Sequence, residues 1–223
     1  MIQLPLKISI NQVATFDNFL GNDELILTLK QSINALTNQF VYFSGKGKTH
    51  LLEAACHYAD QQQKTCSYIP LSTMKTLDTA IFDAQEELFL VCIDDIHLIK
   101  NHFNWQEALF HFYNRARESG TLLFVSGEQT PKLLNLELAD LVSRLNWGPA
   151  FNIEKLSDAK KITMLQLKAN NRGLDLPDAV ANYILTHYQR DLSLLDQLME
   201  QLDKASLIEK RKLSIHFVKA TLL

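Results

Sequence analysis

The chain has 223 residues, 47% of them hydrophobic and 21% charged, enough for one large core or two small ones. Its 22 basic and 25 acidic residues give a net charge of −3, which argues against general attraction to nucleic acid or to an anionic membrane and leaves room only for a local basic patch. Cys56, Cys66 and Cys92 have no metal-ligand spacing and are odd in number, so buried free thiols in a reducing cytoplasm are expected rather than a disulfide framework.

The N-terminus, MIQLPLKISI, lacks a charged region followed by an apolar one, so it is not a signal peptide. No apolar stretch reaches the ~18 residues of a membrane span. Pro5 biases Leu4 toward an extended backbone. Gln3, Leu4, Leu6 and Ile8 therefore belong either to an ordinary edge strand or to a linear peptide whose alternate side chains fill pockets on a partner.

Four short apolar runs then read as buried strands: Phe40–Phe43, Ser67–Leu71, Leu88–Ile93 and Thr121–Ser126. Runs without polar alternation suit a parallel sheet covered on both faces. Helical patterns at Thr49–Ala59, at Asn104–Glu118 and around Leu133–Leu145 separate them. Strand alternating with helix predicts a doubly wound α/β sheet.

The first strand leads into SGKGKTHLL. A phosphate loop wraps backbone N–H groups around an anion at a helix N-terminus, and its sequence is G-x-x-x-x-G-K-[ST]. Gly45, Gly47, Lys48 and Thr49 supply the second half of that device. Counting back from Lys48 places Tyr42 where the first glycine belongs, inside the apolar run. Gly45 is the better first glycine, which leaves the loop about three residues short of the motif. The third strand ends in Asp94-Asp95, two carboxylates at the sheet edge where ligands sit in open α/β folds. Asp94 then suits Mg²⁺ or its water shell, and Asp95 suits a base or a water-orienting group. The blander readings are a glycine turn between strand and helix and an acidic pair that only ends a strand. Seven histidines (50, 57, 97, 102, 111, 187, 216) share no ligand spacing, and His50 and His97 near the loop are read as structural. Arg115 and Arg117 are either the solvated face of one helix or an interface.

After residue 152 only helical patterns follow. Ser157 caps a helix through Lys168, Gly173 and Pro177 punctuate, and Pro177 suits the first turn of the next helix. Asp191–Lys210 is a third helix, and a short one starts near Ser214.

TFDNF (15–19), GKTHLLEAAC (47–56), IDDIHLI (93–99), LFVSGEQTPKLL (123–134) and DLVSRLNWG (140–148) occur in that order. Together they resemble the DnaA-related AAA+ family of bacterial replication proteins. QLPLKI, WQEALFHFYNR (105–115) and RKLSIHFVKATL (211–222) resemble most closely its branch of regulatory inactivators, Hda. The resemblance implies an AAA+ P-loop NTPase fold: a parallel α/β sheet with a small C-terminal all-helical lid. It implies a clamp-binding peptide at 1–10, an α/β nucleotide-binding domain at 11–152 and the lid at 153–223. The initiators carry a further DNA-reading domain, and the stop at Leu223 leads us to expect none here, hence no independent sequence-specific DNA binding.

The same resemblance implies a function. Inactivators of this kind dock on the β sliding clamp of DNA polymerase III, meet the ATP-bound initiator DnaA and promote hydrolysis there. Lys48 and Thr49 match the Walker A residues, and Asp94 and Asp95 match Walker B, with Mg²⁺ held by Thr49 and Asp94. Glu128 falls in the sensor 1 region, where the family has Asp, and Arg144 matches the arginine finger. Gln3, Leu4, Leu6 and Ile8 match the clamp-binding motif. Ser193 stands where the family has a sensor 2 arginine, with Arg190 one helical turn earlier. The short loop and Ser193 both weaken the chain's own ADP or ATP site, while the finger remains, so its own ATPase is expected to be impaired. A homodimer stays open. Trp147 and Gly148 read as a packed aromatic and a turn. Two other functions compete: an autonomous P-loop ATPase or small-molecule kinase acting through Lys48 and Asp94, and a DnaA-like initiator or loader module.

Overall fold

The computed structural model describes residues 14–76, 78–154, 156–188, 192–209 and 211–222. Each of the four apolar runs forms a strand: β1 (Phe40–Gly45), β2 (Cys66–Pro70), β3 (Leu90–Asp94) and β4 (Leu122–Gly127). A fifth strand, β5 (Ala150–Ile153), completes one parallel sheet in the order β2-β3-β4-β1-β5. Successive side chains of a strand point to opposite faces, so each strand feeds two cores. Phe40, Tyr42, Val91, Ile93, Leu123 and Val125 enter one core. Val41, Phe43, Leu90, Cys92, Leu122 and Phe124 enter the other. That is why β1, β3 and β4 are apolar at nearly every position before their carboxyl ends.

Helices close both cores. α3 (Phe103–Ser119) and α4 (Ala139–Leu145) cover the first with Trp105, Leu109, Phe112, Leu141 and Leu145. α1 (Asp23–Ala35) and α2 (Lys48–Gln61) cover the second with Leu25, Leu29, Ile33, Leu51, Leu52 and Ala55. Of these, α1 was not expected from the sequence, although Leu25, Leu29 and Ile33 recur every four residues behind Asp23 and Glu24 in its first turn. β5 was also not expected. It has four residues, and only Ile153 is buried, so its apolar signal is too short to stand out. The helix expected around Leu133–Leu145 is shorter. Pro131–Leu133 is one 3₁₀ turn, Asn135 takes a left-handed φ of 53°, and α4 begins only at Ala139.

The chain divides between residues 154 and 155 into two compact units. The second consists, among the described residues, of α5 (Asp158–Asn171), α6 (Asp178–His187), α7 (Leu192–Glu209) and α8 (Ile215–Leu222). Ser157 caps α5, its Oγ accepting from Lys160 N at 3.3 Å. Ser214 Oγ accepts from Phe217 N at 3.2 Å at the start of α8. Pro177 is the cap of α6 rather than a residue of its first turn. Leu165, Ala181, Ile184, Leu195, Leu202 and Val218 form the interior of this unit.

Candidate functional site

The carboxyl edge of the sheet is assembled where β1 turns into α2. β1 runs to Gly45 and α2 starts at Lys48, so Lys46 and Gly47 alone make the connection. Both flanking glycines are required there. Gly45 has φ 111°, and a Cβ on it would meet Ile153 O at 2.8 Å; Gly47 has φ 99°, and its Cβ would meet the Phe19 ring at 2.9 Å. Phe19 also lies against His50 at 5.3 Å between ring centroids, and His50 Nε2 is 3.0 Å from Thr15 O. The 15–19 segment is thereby tied to the start of α2. No side chain caps α2, so its first N–H groups face this edge without intrahelical acceptors. Tyr42 lies inside β1, fully buried, with its hydroxyl donating to Gln129 O. Burial pushes that phenol's pKa up.

Asp94 ends β3 at 3% exposure and is held by three hydroxyls. Thr49 Oγ1 donates to its Oδ2 at 2.6 Å, Tyr68 OH donates to the same oxygen at 2.9 Å, and Ser126 Oγ donates to Oδ1. Burial, and then the Asp94 charge, push the Tyr68 phenol upward, so it stays a donor. Ser126 Oγ in turn accepts from Asp95 N at 3.0 Å. Asp95 turns the chain with φ 60° and sets its carboxylate 3.3 Å from Lys48 Nζ. Lys48 Nζ also donates to Gly45 O at 3.2 Å. His97 Nδ1 is 3.8 Å from Asp95 Oδ1, too far for a hydrogen bond. Lys48, Thr49, Asp94 and Asp95 are therefore brought together. Glu128 sits exposed just past the end of β4. Tyr68 and Ser126 were not anticipated. Ser126 is a lone polar residue near the end of an otherwise apolar run, a signal that could have found it, whereas Tyr68 sits in the middle of β2 beside Ser67 and gives no such signal.

The hydroxyl of Thr49 and the carboxylate of Asp94 are hard oxygen donors that suit Mg²⁺. The loop does not suit a wrapped polyphosphate. A phosphate cradle needs several consecutive N–H groups curving round the anion, and two residues between strand and helix cannot form that curve. Lys48 is turned onto Asp95 and Gly45 O instead.

Arg144 lies elsewhere on the same unit, within the last turn of α4. Its guanidinium carbon is 5.1 Å from the centre of the Trp147 ring, and that of Arg117 is 3.9 Å from it. Trp147 is 58% exposed, which corrects the expectation of a packed aromatic. Neither arginine pairs with a carboxylate among the described residues. Arg115, read from the sequence as part of either a solvated face or an interface, is tied down within the chain: its Nε donates to Glu86 Oε1 at 2.9 Å and its Nη2 to Phe82 O at 2.9 Å. Gln3, Leu4, Leu6, Ile8 and Arg190 lie outside the described residues, and Ser193 is placed in α7 by its backbone. The three cysteines are free, Cys92 buried and the other two half-buried, with Cys66 Sγ donating to Cys56 O at 3.5 Å.

A parallel sheet in this order, a Gly-Lys-Thr helix start and a neighbouring Asp pair at its carboxyl edge define the α/β module of an AAA+ P-loop NTPase, and the second unit is its helical lid. Residues 10–152 match the bacterial DnaA ATPase domain and residues 158–222 the Hda lid domain. The chain belongs to the DnaA-related AAA+ family, with a lid of the Hda type. It is 40% identical to an uncharacterized protein of Haemophilus influenzae, over 99% of this chain and 98% of that one. Its fold is similar to domain III of Thermotoga maritima DnaA, with a TM-score of 0.81 at 20% identity over 95% and 96% of the two chains. It is also similar to AMPPCP-bound DnaA from Aquifex aeolicus, with a TM-score of 0.71 at 22% identity over 90% of this chain and 68% of that one. No described helix is long and apolar enough to cross a membrane.

Proposed function

We propose that the chain is a negative regulator of replication initiation that acts on ATP held by the initiator DnaA. Arg144 enters the initiator's site in trans as an arginine finger, while residues 3–8 dock on the β sliding clamp as an extended peptide through Gln3, Leu4, Leu6 and Ile8. Membership of the DnaA-related family and the Hda-type lid support DnaA as the partner. The observation that carries the reading is a contrast of two sites. Around Asp94 and Lys48 the polar groups satisfy one another, beside a loop too short to wrap phosphate. Arg144 has no carboxylate partner among the described residues and lies against the Trp147 ring instead.

A guanidinium brought to the γ-phosphate stabilises the charge that develops on the transferring group, and fingers of this kind accelerate hydrolysis by ~10³–10⁵. Its planar fork of donors meets phosphate oxygens in pairs, which the point charge of lysine does not. ADP or ATP with Mg²⁺ at the chain's own site would lie near Lys48, Thr49, Asp94 and Asp95, with Glu128 at the sensor 1 position, and would bind weakly for want of the N–H cradle. Asp95, already paired with Lys48, would first have to release it to act as a base. The short hydrogen bond from Thr49 to Asp94 favours a second reading, an autonomous ATPase, because it is the arrangement a metal-holding pair adopts.

Measuring phosphate release by the chain alone, by the initiator alone, and by both with clamp loaded on DNA separates the two readings. We expect negligible release from the chain alone and clamp-dependent stimulation in the mixture. Steady release by the chain alone, unchanged by initiator, contradicts the proposal.

A further inference from the structure

Three features surround Trp147. Its backbone is pinned: Trp147 N donates to Arg144 O at 3.1 Å, a Cβ on Gly148 would meet Phe40 O at 2.4 Å, and Tyr42 N donates to Pro149 O at 3.0 Å. Its side chain is not held by packing. The indole is 58% exposed and lines an open cavity of about 260 Å³ with Gln39, Tyr113 and Arg117. What touches the ring is cationic, with Arg117 at stacking distance, 3.9 Å, and Arg144 at 5.1 Å. Trp147 lies two residues beyond the end of α4, and the turn closed by its N–H on Arg144 O brings its ring next to the Arg144 side chain.

We propose that Trp147 is the positioning residue for Arg144: an indole shelf, held flat by Arg117, that orients the Arg144 guanidinium toward a docked partner. This rests on the reading of Arg144 as the group that acts on a partner's ATP. The choice of an aromatic follows from what a finger requires. A carboxylate would orient an arginine but would cancel its charge and occupy its donors. An indole face attracts the guanidinium through its quadrupole and leaves charge and donors available to phosphate. Arg117 has the complementary task. It comes from α3, whose Ala116 and Tyr113 are packed into the core, so it carries the rigidity of the helix to an otherwise exposed ring.

The test joins two measurements on the full chain. Side-chain ¹⁵N relaxation of Arg144 Nε in the free protein reports its mobility, and initiator-bound ATP turnover is followed against chain concentration with clamp loaded on DNA. Trp147→Ala and Trp147→Leu should raise Arg144 mobility. They should lower the maximal stimulated rate about three- to tenfold, the effect of freeing one rotamer-rich side chain, and shift the half-saturating concentration less than twofold. Trp147→Tyr, which keeps an aromatic face, should restore at least half of the rate, and Trp147→Leu controls for lost apolar contact. Unchanged Arg144 mobility in Trp147→Ala overturns the proposal, and so does raised mobility with a wild-type rate. Arg144→Ala in the same series separates the two levels: full stimulation there refutes the finger itself, while the relaxation data still decide whether Trp147 positions Arg144.

Discussion

Gln106 is a fully buried amide on α3 that stitches two segments together. Its Nε2 donates to Ile99 O at 2.9 Å and to Lys100 O at 2.8 Å, in the turn that follows the Asp pair. Its Oε1 accepts from Glu137 N at 2.8 Å and Leu138 N at 3.0 Å, where the chain enters α4 and hence Arg144. Replacing it by Leu keeps the volume roughly constant, so the loss is polar. Each buried backbone group left unpaired costs about 1–3 kcal/mol. Lys100 and Glu137 are exposed residues whose backbone can turn to water, while Ile99 and Leu138 are more enclosed. Two full penalties and two partial ones give a destabilisation of about 3–5 kcal/mol. For a unit of this size that corresponds to a melting temperature lower by roughly 6–20 °C. Urea denaturation followed by the fluorescence of Trp105, which is buried beside it, should show a lower midpoint with an unchanged slope. A loss below about 1 kcal/mol, no more than one ordinary hydrogen bond contributes, would mean that the four bonds do not hold the segments together.

Replacing Gln3, Leu4 and Leu6 together by Ala should abolish capture by the β clamp and leave the thermal melt unchanged; retained capture would refute the docking peptide. Intrinsic ATP turnover by the chain alone should stay well below the ordinary enzyme range of ~1 s⁻¹, because the loop lacks its N–H cradle, and a rate at or above that would show that the short loop still binds and activates ATP.

The sheet was legible because burial on both faces leaves a nearly unbroken apolar run in β1, β3 and β4, while β2, a mostly half-buried edge strand, gave a shorter and more mixed one. The elements that escaped carry weaker signals. β5 is a half-exposed edge with one buried residue, and α1 has an apolar stripe interrupted by the exposed Leu27. At the candidate site, Lys48, Thr49, Asp94 and Asp95 were visible as motif residues, since spacing along the chain sets them at one strand edge. Tyr68 and Ser126 were not, because their roles depend on β2 and β4 flanking β3, which is a fact of strand order. Gln106 was missed and Trp147 was misread as packed, for opposite reasons. Gln106 is a polar side chain in a core phase of its helix, and Trp147 is an aromatic that stays outside the core.

The central claim concerns Arg144, and the most direct measurement is single-turnover conversion of initiator-bound ATP to ADP in the presence of clamp loaded on DNA. The wild-type chain should accelerate the conversion. Arg144→Ala should lose that acceleration with its fold and clamp binding intact, and Arg144→Lys should recover little, since it keeps the charge but not the paired donors. Full acceleration by Arg144→Ala would contradict the account and move the finger to another residue.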